Sequence, residues 1–560
     1  MHRLGVVVGV VSSLVPWHAA VAAPCDCDHV VEPDVGIADG SALGVQPGQS
    51  VCVRGGAREY LRLQKFVGAP GQPITIRNCE GVVDISNDDR GYGLTVDESR
   101  YVHVTGTGDE GATYGFRARA SKDGPDYSAM SVAVGNLSSD IELDHVEAYE
   151  AGFAGIMWKT DPRCDLSANL DHFVMYDSRL HHNYVHDTGG EGLYFGSTGY
   201  GGREYTCDGQ QVILYPHEHH GAQIHDNVFE NTGWDGAQIG VTPVDCAFHH
   251  NTVRNVGLKG ELYQQQGLQI GGASACDVFN NVLMDGPTNG VFVLGADDTF
   301  VYNNLIVQFG DSGIYANDQE LPLDARFRFA HNTIIVGTGM RGLTVFGPGL
   351  GPGYAVNNVI VGPDALGVGG DVPDFTQTAN VTAETVDGLG FVDPANRDYH
   401  LLPDSSLRDA GVAPPDAVAV DLDEVPRSDG APDVGAFEYT PEPPPGDDTT
   451  GGETGETTDS PTSSADESDS AANTSEAPAD TTTTGPGGSA DGDASAADPS
   501  PTSDGGLTVA TADDGTATGS GTDSSGQQDD GGCGCTTTTT SPLLALLLLL
   551  APRRRSPRVS

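Results

Sequence analysis

The stretch NTGWDGAQIG, Asn231 to Gly240, sets a charged Asp235 and a polar Gln238 in a frame of glycines and short apolar residues. Polar groups in such a frame need a reason, and the reason depends on whether the frame recurs. It does: EGLYFG starts at Glu191, QGLQIG at Gln266, NGVFVLG at Asn289, SGIYAN at Ser312 and RGLTVF at Arg341. AGIMWK at Ala154 is a looser copy. Each reads x-Gly-apolar-x-apolar. A second landmark accompanies most copies, an Asn followed two residues later by an aliphatic or aromatic residue. It occurs at Asn183, Asn227, Asn251, Asn281, Asn304, Asn332 and Asn358. The spacing is mostly ~23–30 residues, a period that marks solenoids.

A unit of this length, with two or three short alternating apolar runs and no helical periodicity, reads as several strands. One such coil cannot bury its own apolar face. Stacked coils can, with parallel strands about 4.8 Å apart. The expected fold is all-β, a single-stranded parallel β-helix followed by a disordered stalk. The repeating Asn suits an inward-turning corner where its amide bonds the next coil's amide and satisfies groups otherwise buried unpaired. The repeating Gly suits a corner that needs positive φ or close backbone approach.

The Asn and Gly columns between residues 140 and 362 resemble those of right-handed parallel β-helix proteins of the pectate-lyase-like superfamily. QPGQSVCVRGG (Gln46–Gly56) and GAPGQPITIRNCEG (Gly68–Gly81) look like first coils of such proteins. DYHLLPDSSLRDAGV (Asp398–Val412) with DVGAFEY (Asp433–Tyr439) is similar to the segment that closes many secreted bacterial members before a surface anchor. The resemblance implies the fold. It does not choose an activity, because the superfamily holds lyases, hydrolases, epimerases and non-catalytic surface proteins.

The ends of the chain speak of export. Residues 1–22 read as a secretory signal peptide, with an apolar run from Leu4 to Val15 and cleavage after Ala22. Residues 23–370 read as the β-helix and 371–440 as its closing segment. Residues 441–531 are rich in Ser, Thr, Gly, Pro and Asp, with no Lys or Arg, and read as a disordered acidic stalk. Residues 532–560 carry GGCGC, an apolar run and RRRSPR, which resembles a myxobacterial-type C-terminal sorting signal. That resemblance implies recognition near Cys533 or Cys535 by sorting or anchoring machinery at the cell envelope. A plain tail anchor held by Arg553–Arg555 is the other reading.

The formal net charge of -52 argues against nucleic acid as a partner, since no basic footprint is present. Eight cysteines between Cys25 and Cys276, in an exported chain, favour disulfides. Cys246 and Cys276 each stand five residues before a repeat Asn, so they occupy equivalent places on neighbouring coils. Cys164 and Cys207 lie in two insertions and pair as a staple, and Cys52–Cys79 is the third expected bridge, leaving Cys25 and Cys27 without clear partners. His182, His250 and His331 precede repeat Asn residues and read as corner residues. His217 and His219, in PHEHH, read as lying in an insertion outside the repeat register, where they could bind a metal or sit in a solvated loop.

On each x-Gly-apolar-x-apolar strand the apolar pair points inward, so the residue between them points outward. The outer column then reads Met157, Tyr194, Gln238, Gln269, Phe292, Tyr315, Thr344. The column at the strand start reads Ala154, Glu191, Asp235, Gln266, Asn289, Ser312, Arg341. Amides and carboxylates beside aromatic rings suit sugars, whose hydroxyls bond the former while C–H faces lie on the latter. Glu191 and Asp235 form the sharpest pair. On adjacent coils they make an acid and a base, or they hold Ca²⁺ with Gln266 or Asn289 assisting. The segment QQVILYP between them could be a further coil that separates them. A lyase would also need a cation, and Lys159 and Arg163 are the candidates. The expected role is engagement of polysaccharide along this strip, with or without cleavage. A non-catalytic adhesin and a displayed rigid rod are the alternatives.

Overall fold

The structure is a computed structural model. It describes residues 24–124, 128–295, 297–317, 326–337, 341–347, 352–369, 374–427 and 430–441. The expected signal peptide and sorting signal lie outside the described residues, as does all but the first residue of the expected stalk.

The chain winds as a right-handed parallel β-helix. Among the described residues, a 12-stranded parallel front sheet runs from Ile37–Asp39 to Asp364–Gly369, and a 23-stranded back sheet, bent at a corner, supplies the other faces of the coil. Short runs of Val, Ile, Leu and Phe form these strands because β-branched and aromatic residues pack well on a pleated, half-buried surface. Their inward side chains make one continuous core, in which Phe195, Phe229, Phe248, Leu268 and Ile270 are buried.

Two chemical devices keep the coils in register. The first is the asparagine corner. Asn183, Asn227, Asn251, Asn281, Asn304, Asn332, Asn358 and Asn380 stack, each Nδ2 donating to the next Oδ1 at 2.8–3.2 Å. Each backbone N–H in the stack also donates to the next Oδ1, as Asn281 does to Asn304 at 3.0 Å. The residue before each of the first seven adopts the left-handed conformation, from His182 (φ 55) through Asp226, His250, Asn280, Asn303 and His331 to Asn357 (φ 56). Asn, Asp and His tolerate that region best, which explains the histidines read as corner residues.

The second device is the glycine column, and here close approach is the operative reason. Gly192, Gly236, Gly267 and Gly290 are not left-handed, but a Cβ at each would meet the next rung's carbonyl oxygen at 2.5–2.6 Å.

The N-terminus corrects one disulfide. His29–Val31 forms a rung beside Ser50–Arg58, placing Cys27 against Cys52 and Cys25 against Cys79. Cys52 cannot reach Cys79, because it aligns with Arg77 while Cys79 aligns with Arg54, two residues away. Cys164–Cys207 and Cys246–Cys276 form as expected, with Cα separations of 5.5 and 4.5 Å.

The coils run past residue 370, since Phe375–Thr378 and Val381–Ala383 pair with preceding rungs. The following segment folds back along the back sheet, packing on Leu305, Val307, Ile335 and Val359. Arg397 grips Asp285 with two bonds of 2.7 Å, and buried Arg427 joins Glu438 at 2.7 Å and Asn303 at 3.1 Å.

Candidate functional site

The front sheet carries both outward columns in the expected register. Met157, Tyr194, Gln238, Gln269, Phe292, Tyr315 and Thr344 are successive strand partners. Glu191 and Asp235 stand on adjacent rungs, because Leu193–Gly196 pairs directly with Ala237–Gly240. Only the extra length between them leaves the coil. Arg203–Cys207 and Gln210–Leu214, which contains most of QQVILYP, form an antiparallel hairpin instead of a further coil.

That hairpin and the insertion after Lys159 wall this end of the strip. Cys164–Cys207 joins them, Tyr194 Oη meets Thr198 Oγ1 at 3.1 Å, and the Tyr200 ring sits over Gly272. A second cover comes from residues 257–265. The N–H groups of Leu258 and Lys259 bond the carbonyls of Thr232 and Gly233, and Lys259 reaches Asp123 at 3.7 Å. The strip faces outward as expected but is largely covered. Glu191 is 1% exposed, Asp235 0% and Gln238 2%; Phe292 and Tyr315, with ring centroids 5.6 Å apart, are half-buried.

The chemistry of the covered part is unusual. Burial pushes the Glu191 carboxyl up to about 8, against weaker pulls from its own backbone N–H and from Lys159. Burial, reinforced by Glu191, pushes Asp235 well above the carboxylate range despite a 2.6 Å bond from the Gln266 N–H. Glu191 Oε2, Asp235 Oδ2, Gln238 Oε1, Asn289 Oδ1 and Ser312 Oγ are buried and find no hydrogen-bond partner among the described residues. Buried polar atoms are almost always paired, so five exceptions on one face mark the place. Lys159 stands at the far end of its strand. Its Nζ lies 4.7 Å from the centre of the Tyr194 ring and 2.8 Å from Asp161 Oδ1. Burial opposes its charge, but Asp161 and Tyr194 outweigh it and hold the lysine pKa above its usual value.

The other sequence candidates are placed differently. Arg163 turns away and its guanidinium donates to Asn136 Oδ1. Gln266 uses its Oε1 on Thr288 Oγ1 and Asn289 Nδ2, both at 2.8 Å. Glu191, Asp235 and Asn289 thus offer three free oxygens. Ca²⁺ takes about six to eight oxygen ligands, so an ion held here would draw the rest of its shell from neighbouring groups and water. His217 and His219 are not in a solvated loop: both are buried, and His219 lies on the back-sheet rung Glu218–His225, aligned to Met175 in the core. His217 accepts from the Thr160 N–H at 3.1 Å and its Nδ1 lies 3.0 Å from the Glu218 carbonyl, so neither nitrogen is free for a metal. His219 has two unpartnered nitrogens, packs on Phe195, and faces no second free ligand among the described residues.

Sequence reasoning missed a second cluster. His103, Glu142 and Asp144 bring ligand atoms within 4.8 Å of one another on the back sheet. They lie on coils that precede the first repeat Asn, Asn183, where the register could not be read.

The family model described as "Right handed beta helix region" matches residues 210–369. No curated protein sequence matches the chain. Among solved structures, the chain is similar to pectate lyase Pel9A, with a TM-score of 0.37 and 14% identity over 74% of this chain and 97% of that one. It is similar to the A-module of the Azotobacter vinelandii mannuronan C-5 epimerase AlgE4, with a TM-score of 0.35 and 16% identity over 64% and 96%. It is similar also to the GH136 lacto-N-biosidase from Eubacterium ramulus, with a TM-score of 0.40 and 13% identity over 63% and 68%. Likeness of this size carries nothing about chemistry. The family match and the chain's own geometry identify a right-handed parallel β-helix.

Proposed function

We propose that this is an exported, cell-surface protein that binds polysaccharide along the front strip and transfers a proton to it at Glu191. The observation that carries the reading is the pair of adjacent-rung carboxyls, each with an unpartnered oxygen, beside the Lys159–Tyr194 contact. A carboxyl kept neutral near pH 7 is a proton donor, and general acids are tuned in this way. Asp235, Gln238 and Asn289 offer acceptors to sugar hydroxyls. Phe292 and Tyr315 offer ring faces further along, and Lys159 a positive charge to an acidic sugar. Strand partners stand about 4.8 Å apart, the scale at which paired carboxyls act on a glycosidic bond. Four disulfides among the described residues support an oxidising destination, and the tail supports display through envelope machinery.

One observation favours the adhesin reading. Glu191 and Asp235 are almost wholly covered, so a sugar reaches them only if the segments packed around them move. The two readings separate when the protein is incubated with neutral and uronate polysaccharides. Product is followed as reducing ends and as ultraviolet absorbance, and retention on an affinity gel is measured in parallel. Cleavage that Glu191→Gln abolishes while retention persists supports proton transfer. Retention with no cleavage by the wild type leaves the adhesin, and neither result with any polymer overturns the polysaccharide reading.

A further inference from the structure

We propose that His103, Glu142, Asp144 and His181 form a binding site for one divalent transition metal ion of the Zn²⁺ type, on the back sheet and independent of the front strip. The four residues come from three consecutive rungs, Arg100–Thr105, Ser139–Asp144 and Val174–His181. Register sets His103 beside Glu142 and Asp144 beside His181, so the two histidines lie diagonally across the carboxylates. Alternation turns all four to the outer face.

The ligand atoms of His103, Glu142 and Asp144 lie within 4.8 Å of one another, and His181 flanks the two carboxylates as the fourth donor. His103 Nε2 touches Asp144 Oδ2 and lies 3.8 Å from Glu142 Oε1. His181 Nε2 lies 3.1 Å from Glu142 Oε1 and 3.9 Å from Asp144 Oδ2. A tetrahedral Zn²⁺ with ligands about 2.0–2.1 Å away separates them by about 3.3 Å, so the three open edges bracket what the ion needs. Two imidazoles and two carboxylates give borderline nitrogen and hard oxygen donors whose two negative charges match a divalent cation.

Supporting groups hold the ligands in place, as outer partners do in metal sites. Asp144 Oδ1 accepts from Thr105 Oγ1 at 2.6 Å and lies 2.5 Å from His145 Nδ1, which leaves Oδ2 for the centre. The His181 ring stacks on His225 at 4.8 Å and 9°. Arg179 approaches the other oxygen of Glu142, Oε2, at 3.8 Å. A cavity of about 440 Å³ lined by Tyr101, His103, Glu142 and Arg179 gives the ion a path in. The contrast is His400, which also meets two carboxylates, Asp398 and Asp423, but on opposite ring nitrogens, so no common point exists. An ion at the first cluster would tie three coils together at the end of the rod that lacks the asparagine corner.

The test uses the full chain, stripped with EDTA and with Cys533 and Cys535 alkylated so that their thiols take no metal. Zn²⁺ uptake is measured by calorimetry and by metal analysis, and the melting temperature is followed with Zn²⁺ concentration. The expected result is one equivalent bound, a melting temperature that rises with Zn²⁺, and at least a tenfold loss of affinity in His103→Ala and in the isosteric Glu142→Gln. His400→Ala should bind as the wild type does. No uptake by the wild type, undiminished uptake in Glu142→Gln, or uptake of Ca²⁺ but not Zn²⁺ would overturn the assignment.

Discussion

Two polar columns run along this rod, and they are built to opposite rules. In the asparagine corner every amide is used: Asn281 Nδ2 serves Phe248 O, Phe279 O and Asn304 Oδ1, while its own Oδ1 takes two bonds from Asn251. On the front sheet, from Glu191 to Ser312, polar atoms are equally buried but oxygens are left over. Full pairing rewards a unique register, whereas a buried unpaired group costs stability and persists only where something else requires it. The first column explains why the coils stack. The second is where a ligand has work to do.

The comparison can be broken from either side. Asn281→Ala strands partners on both neighbouring rungs and should cost about 3 kcal/mol, read from denaturant unfolding. A loss below about 1 kcal/mol would mean the corner is far less essential than its hydrogen bonds imply.

Glu191→Gln gives the next effect, and it depends on pH. The Glu191 pKa is raised to about 8 in the fold, above its unfolded value near 4.5. Between those values the folded state holds the proton and the unfolded state does not, so stability falls as pH rises. The slope is at most about 1.4 kcal/mol per pH unit. Glu191→Gln should flatten the unfolding profile between pH 4.5 and 8 and be the more stable protein at the upper end.

Ser312→Ala removes a buried hydroxyl that has no partner, so it should change stability by less than about 1 kcal/mol while weakening glycan retention. The smallest effect belongs to Lys259→Ala. The Lys259–Asp123 pair is exposed and worth less than ~0.5 kcal/mol, yet it ties the 257–265 segment to residues 121–124. Its loss should leave the melting curve unchanged and quicken the association of an oligosaccharide.

The fold was legible because each coil repeats the same local demands. Gly192, Gly236 and Gly267 recur where a side chain would strike the next rung, and Asn227, Asn251 and Asn281 recur where an amide must face its copy. Both patterns survive in a single sequence. The adjacency of Glu191 and Asp235 was less legible, because Gln210–Leu214 is apolar enough to read as a coil and only its antiparallel partner shows otherwise. Cys25 and Cys27 were missed because their rung is the first and has no preceding copy to compare. His219 was misplaced because Gly221, left-handed with φ 80, interrupts the alternation that would have shown it pointing inward. The cover over the strip was only partly foreseen: insertions announce a wall, but how far the 257–265 segment closes it depends on contacts distant in sequence.

The most direct test is a pH titration of the full chain carrying ¹³C-labelled glutamate carboxyls, observed by NMR in the wild type and in Glu191→Gln. The account predicts one glutamate resonance that titrates near pH 8 and disappears in the variant. If every glutamate of the wild type titrates below about pH 5, as solvated carboxylates do, Glu191 is no proton donor at neutral pH and the proposed chemistry is wrong.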